Sequence, residues 1–233
     1  TPAGVLFAVY DSETGAPEYI PPEPEAASVS VKEILEERFG ALEEISFQSF
    51  FPNYYIEDVS TKATEELFQA EKLANYNLGV EKTKEPQILI FHTHGSEGYA
   101  DSRTGVTEDT VIGVGELLAT VLREKHGYNV IHETSVFDRK ADGSDDRNNA
   151  YNNALPVVTE ILEKYPSIEV VIDLHRDAVN ENTRLVTDID GRPTARFMFF
   201  NGVSCTKNTG SISYLENEYQ KENLAFSFQM QVK

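Results

Sequence analysis

Val31, Ile34, Leu35 and Phe39 recur at three- and four-residue spacing, which predicts an amphipathic helix. Leu67, Ala70 and Leu73 share a face and predict a second helix over 62–74. The stretch 47–55 between them is aromatic, with Phe50-Phe51 and Tyr54-Tyr55, and reads as a packing strip rather than a partner surface. From residue 88 the pattern changes. Ile88-Leu89-Ile90-Phe91 is a short, continuous apolar run after Glu85-Pro86, the mark of a strand buried on both faces. In 108–125, Val111, Val114, Leu117, Leu118, Val121 and Leu122 line one helix face, and Gly127 closes it past a basic last turn. Tyr128-Asn129-Val130-Ile131 is the next strand. Residues 149–165 form a helix with Leu155, Val158, Ile161 and Leu162 inward, and 170–174 is a third buried strand. The order β-α-β-α-β predicts an α/β domain with a mainly parallel central sheet flanked by helices. Two further strands are expected at 184–187 and 195–200, split by the turn Asp190-Gly191-Arg192-Pro193, and a last helix over 215–230.

Composition places the chain among globular proteins: 40% of its 233 residues are hydrophobic and 10% aromatic. The net charge of −19 argues against nonspecific nucleic-acid binding and against a polybasic membrane anchor. That charge is uneven. Residues 1–87 hold 17 acids and 6 bases, against 22 and 14 in residues 88–233. The front also contains Pro21-Pro22-Glu23-Pro24-Glu25, a solvated, linker-like run. The chain therefore divides into an acidic, partly helical region over 1–85 and an α/β domain over 86–233. No run of about 18 apolar residues spans a bilayer. The stretch 4–10 is too short, and lacks the basic flank, for a signal peptide; a leader or anchor upstream of Thr1 remains compatible with the chain. The single cysteine, Cys205, excludes an internal disulfide and the Cys-rich zinc modules, and reads as a packed thiol.

Histidine carries the candidate chemistry. Of the five, His92 and His94 follow the first buried strand and His175 follows the third. In open α/β sheets the crevice beyond the carboxyl ends of the strands is where ligands bind. Acids accompany them: Glu97 after the first strand, Asp173 and Asp177 around the third. Two imidazoles and a carboxylate with an open fourth position suit a catalytic zinc, which acidifies bound water and polarises a carbonyl. His126 complements a helix C-terminus, and His132 belongs to a strand or its exit; neither is assigned chemistry. Gly113-Val114-Gly115 falls within a helix, so it is no dinucleotide fingerprint. Ser96 lacks the Gly-x-Ser-x-Gly elbow, and no local signature makes Cys205 a nucleophile.

Three blocks, ILIFHTHGSEGY over 88–99, VIGVGELL over 111–118 and VIDLHRDA over 171–178, resemble in order and spacing the stage II sporulation protein P (SpoIIP) family, across roughly residues 86–230. That family comprises peptidoglycan hydrolases of endospore-forming bacteria. The resemblance implies a zinc-dependent N-acetylmuramoyl-L-alanine amidase, with stem-peptide endopeptidase cleavage also credited to family members. It further implies action during forespore engulfment beside the lytic transglycosylase SpoIID and the membrane protein SpoIIM. The location would be extracytoplasmic, between mother-cell and forespore membranes, with an anchoring segment upstream of this chain.

Carried over residue by residue, the resemblance implies His94 and His175 as zinc ligands. The third is Glu108, at the start of the following helix, or Glu97, inside the first block. His92 is implied as a group that orients a neighbour. Arg176 and Asp177 of the His-Arg-Asp signature, and Arg147 ahead of the second helix, are implied as substrate contacts. Related amidases place a catalytic Glu on a late strand beyond the last helix. No such strand precedes Lys233, so the expectation is a C-terminally shortened catalytic domain, with a catalytically impaired wall-binding or complex-assembly protein as the alternative.

Overall fold

The computed structural model describes residues 8–10, 17–19, 29–180, 182–183, 185–189, 191–215 and 217–233. The expected linker at Pro21–Glu25, and the positions Arg184 and Asp190, lie outside them. The strands are β1 (Ala8–Tyr10), β2 (Pro17–Tyr19), β3 (Ile88–Phe91), β4 (Val130–His132), β5 (Val170–Asp173), β6 (Val186–Ile189), β7 (Arg192–Ala195), β8 (Cys205–Thr206) and β9 (Gly210–Ser211). The helices are α1 (Val31–Phe39), α2 (Phe47–Tyr54), α3 (Ala70–Asn75), α4 (Val111–Glu124), α5 (Ala150–Lys164) and α6 (Gln220–Val232). The architecture is mixed α/β, and the chain divides into two compact units.

One unit joins residues 29–79 to the described residues of 195–233. α1 starts at Ser30, whose hydroxyl accepts from the Glu33 N–H while the Glu33 carboxylate accepts from the Ser30 N–H, a reciprocal cap. Leu35, Phe50, Leu73, Leu224 and Phe228 form its buried centre. The aromatic strip is packing: Phe228 meets Phe50 edge-on at 5.6 Å and Tyr54 at 5.5 Å.

The predicted helix over 62–74 shrinks to α3. Ahead of it, Lys62 N–H donates to Cys205 O, Ala63 N–H to the Glu57 carboxylate, and Thr61 bridges Thr206, while Leu67 and Phe68 N–H close a turn on Thr64 O. α6 starts at Gln220 rather than 215, because Asn217 draws the Tyr219 N–H to its side chain and the Gln220 N–H to its carbonyl. The expected strand over 195–200 survives only at Ala195. Phe199 packs on Phe226, while Phe197, Met198 and Phe200 are exposed.

The second unit, β1, β2 and the described residues of 80–194, holds the parallel sheet in the order β4-β3-β5. Its register pairs Ile90 with His132 and Phe91 with Asp173. Ile88, Ile90 and Ala119 are the buried centre of one sheet–helix layer, with Leu118, Leu122, Val130 and Ile172 packed around them. α4 stops where Gly127 takes φ +69°, its N–H bonding Arg123 O and the next N–H bonding Leu122 O. In α5 the inward face is rotated from expectation. Ala150 and Ala154 are buried and Leu155 is 64% exposed.

The turn ahead of α4 is fixed by Asp109, which accepts from Arg103 N–H, Nε and Nη2 at 2.7–2.8 Å. These bonds hold its carboxyl down at about 2.

Two outcomes follow. Phe228→Ala should lower unfolding free energy by about 3–5 kcal/mol, read by chemical denaturation. Asp109→Asn should destabilise the chain at neutral pH. Because the folded pKa is depressed, the difference from the parent should persist above about pH 4 and close between about pH 4 and 2, followed by thermal melts across that window.

Candidate functional site

β3 and β5 run parallel, so their carboxyl ends deliver His92–His94 and Asp173–His175 to one edge of the sheet. The rings of His94 and His175 stand 5.3 Å apart between centroids. His94 Nδ1 is buried without a hydrogen-bond partner and lies 3.9 Å from Asp138 Oδ2. His175 is fixed at its far nitrogen, Nε2 donating to Asp173 Oδ2 at 2.9 Å, which leaves Nδ1 facing Glu97 Oε2 at 3.8 Å. The Asp173 contact raises the His175 pKa against the opposing effect of burial, with Glu97 adding to the rise. Burial disfavours charge on Asp173, yet His175 and the Thr93 donors outweigh it and hold its carboxyl below the ordinary value. Those donors are Thr93 N–H at 2.9 Å and Thr93 Oγ1 at 2.5 Å.

Two acids face the imidazoles, and Arg147 holds both. Its Nη2 donates to Glu97 Oε1 at 2.8 Å, and its Nη1 lies 3.5 Å from Asp138 Oδ2. Glu97 raises the guanidinium pKa, Asp138 contributing. Glu97 Oε2 also accepts the Arg176 N–H at 2.9 Å. Asp138, fully buried, accepts from Ser96 N–H at 3.2 Å and Ser96 Oγ at 2.5 Å. Arg176 is exposed and braces Nε on Gly98 O at 2.8 Å.

The structure therefore brings His94, His175, Glu97, Arg147 and Arg176 together. Glu108 is apart: its side chain is exposed on the turn before α4, and its carbonyl lies where a Cβ on Gly113 would approach within 1.8 Å. Asp177 is exposed and accepts from Ala178 N–H. His92 is wholly buried, with Nδ1 donating to Leu174 O at 2.9 Å. Among the described residues, no three His, Cys, Asp or Glu side chains are gathered tightly enough as they stand to hold a metal ion.

Two members of the site escape sequence reading. Asp138 sits in an irregular stretch with no periodicity to mark it; its only signal is the buried Phe137 beside it. Tyr151 opens α5 and is 63% exposed, yet its ring meets His94 edge-on at 5.6 Å and lies near-parallel to His175 at 6.4 Å. In sequence it is one more exposed helical tyrosine.

No helix among the described residues is long and apolar enough to cross a membrane. No solved structure matches the chain. Stage II sporulation protein P of Bacillus subtilis (strain 168) is 24% identical over 123 residues, an alignment covering 49% of this chain and 30% of that protein. The profile of the family described as "Stage II sporulation protein P (SpoIIP)" matches residues 17–233, and the chain belongs to that family.

Proposed function

We propose that this chain hydrolyses peptidoglycan as an N-acetylmuramoyl-L-alanine amidase, with zinc held by His94, His175 and Glu97. The observation that carries the reading is His94 Nδ1, a buried nitrogen with no hydrogen-bond partner, beside a second imidazole whose Nδ1 is also left to the site. An unpartnered buried polar atom is costly unless something binds it. The donor set fits zinc: two imidazoles and a carboxylate, with a carboxylate behind one imidazole fixing its tautomer. In a tetrahedral zinc site, neighbouring donors lie about 3.4 Å apart. The separation of 3.8 Å between His175 Nδ1 and Glu97 Oε2 is within reach of that by side-chain adjustment.

A bound zinc ion would supply Lewis acidity toward the scissile carbonyl and an acidified water. The chain's own residues do the rest. Asp173 holds the proton of His175 on Nε2 and so turns the Nδ1 lone pair into the site. Arg147 keeps Glu97 and Asp138 from swinging away. Asp138 Oδ2, facing His94 at 3.9 Å, is the group placed to hold a proton during amide cleavage. The exposed Arg176 guanidinium suits a stem-peptide carboxylate. Family membership supports a place in sporulation. Within it we assign the chain to the wall between mother-cell and forespore membranes during engulfment, acting with SpoIID-like and SpoIIM-like proteins.

Chain purified without chelator should carry about one zinc per molecule by elemental analysis and release stem peptides with free L-alanine amines from sacculi. His94→Ala and His175→Ala should lose both. Metal-free parent protein with an unchanged muropeptide profile would sink the reading. Asp173→Asn should weaken zinc by about 10–100-fold in a chelator competition, because the wrong His175 tautomer then competes.

A further inference from the structure

We infer that Glu116 and His132 are positioning residues for His175, acting through a buried line of hydrogen bonds that ends on the Leu174 carbonyl. The inference deepens the proposed zinc site and rests on it for the purpose of that positioning, though the line itself is visible without metal. Glu116 Oε2 meets His132 Nδ1 at 2.7 Å, His132 Nε2 meets His92 Nε2 at 2.9 Å, and His92 Nδ1 meets Leu174 O at 2.9 Å. The two imidazole side chains are almost wholly enclosed, His92 completely and His132 at 1% exposure.

The protons in this line can be counted. A carbonyl only accepts, so His92 Nδ1 carries a proton. One proton lies between the two Nε2 atoms and one between His132 and the carboxylate. The half-exposed Glu116 also accepts from Arg123 Nη1 at 3.2 Å, and its carboxyl sits below the ordinary value. Burial opposes that lowering, and the contacts with His132 and Arg123 outweigh it. The His92 ring, with its Nδ1 proton on the Leu174 carbonyl and its Nε2 against His132, is thereby held in one orientation.

The line replaces a rung of the sheet. Leu174 N–H donates to Phe91 O, the last ladder bond between the strands. In a continuing parallel ladder Thr93 N–H would next donate to Leu174 O. Instead Thr93 N–H turns to Asp173 Oδ1, and the His92 side chain takes the Leu174 carbonyl. The peptide plane from which His175 departs is thus set by His92, and His92 is set by His132 and Glu116. A pair of stacked aliphatic side chains would fill the same space at less desolvation cost. They could not hold a carbonyl in one direction. α4 is shaped to allow the line: a Cβ on Gly115 would come within 2.5 Å of His92 Nε2 and 2.7 Å of His132 Nε2.

The test uses Glu116→Gln, near-isosteric and at a half-exposed position, with His132→Gln as the second variant and thermal melts to establish that each folds. In metal-free protein, nitrogen NMR should find His92 Nδ1 protonated in the parent. The ring signals of His175 should shift in Glu116→Gln although no atom of His175 touches Glu116. In zinc competition the same variant should lose affinity by about tenfold or more. A His92 with a bare Nδ1, or His175 signals unmoved in folded Glu116→Gln, overturns the inference. A parent chain that takes up no zinc while the NMR signatures hold instead overturns the zinc reading and leaves the positioning intact.

Discussion

The site exists because β3 and β5 part company one residue after their last shared rung. Backbone groups released at that point cannot be left bare in a buried sheet end. Two side chains satisfy them: Asp173 takes the Thr93 N–H, and His92 takes the Leu174 carbonyl. Each then has a second partner that matters for chemistry. Asp173 aims His175, and His92 leads back through His132 to α4. The crevice at the strand ends is therefore lined by groups whose first duty is to end the sheet.

Charge is handled by the same economy. Two acids meet two imidazoles at the edge of an acidic protein, an arrangement that self-repulsion would open. A single guanidinium, Arg147, spans both acids, while backbone N–H groups of Ser96 and Arg176 take further lone pairs. Charge-assisted bonds of this kind are strong and directional. Arg147 lies just ahead of α5, and Tyr151 lies one turn later against the imidazoles. One segment thus both neutralises the site and shapes its mouth.

Where burial alone decided structure, the residue pattern was readable. The apolar run of β3, the face of α4 and the placing of His94 and His175 at one sheet edge come from periodicity and strand ends, whereas β5, expected to be buried, leaves Val171 exposed. Where local polar bonding competed, it was not. Residues 62–69 pattern as a helix, but Thr61 and Lys62 are bonded to Thr206 and Cys205, and a single turn closes on Thr64 O. Asn217 delays α6 by the same kind of competition. Leu155 reads as core, yet two alanines one position round the helix let the backbone approach more closely there. Asp138 joins the site across 42 residues through Ser96, a contact that has no local signature. Glu97, inside its motif, stands beside the imidazoles, whereas Glu108, the other ligand the resemblance implies, is exposed on the turn that Asp109 and Arg103 lock.

The helical unit joins residues 29–79 to the described residues of 195–233, with residues 80–194 of the sheet-bearing unit inserted between them in sequence. Gln229 donates to the carbonyls of Leu73 and Tyr76, and Tyr76 bonds Glu222, so the contacts that close this unit join residues about 150 positions apart. During synthesis the early helices must wait, their aromatic faces uncovered, until α6 leaves the ribosome. The inserted unit has every strand of its parallel sheet by residue 173 and can complete that sheet first. The parallel sheet can therefore be complete along the nascent chain before the unit whose helices precede it.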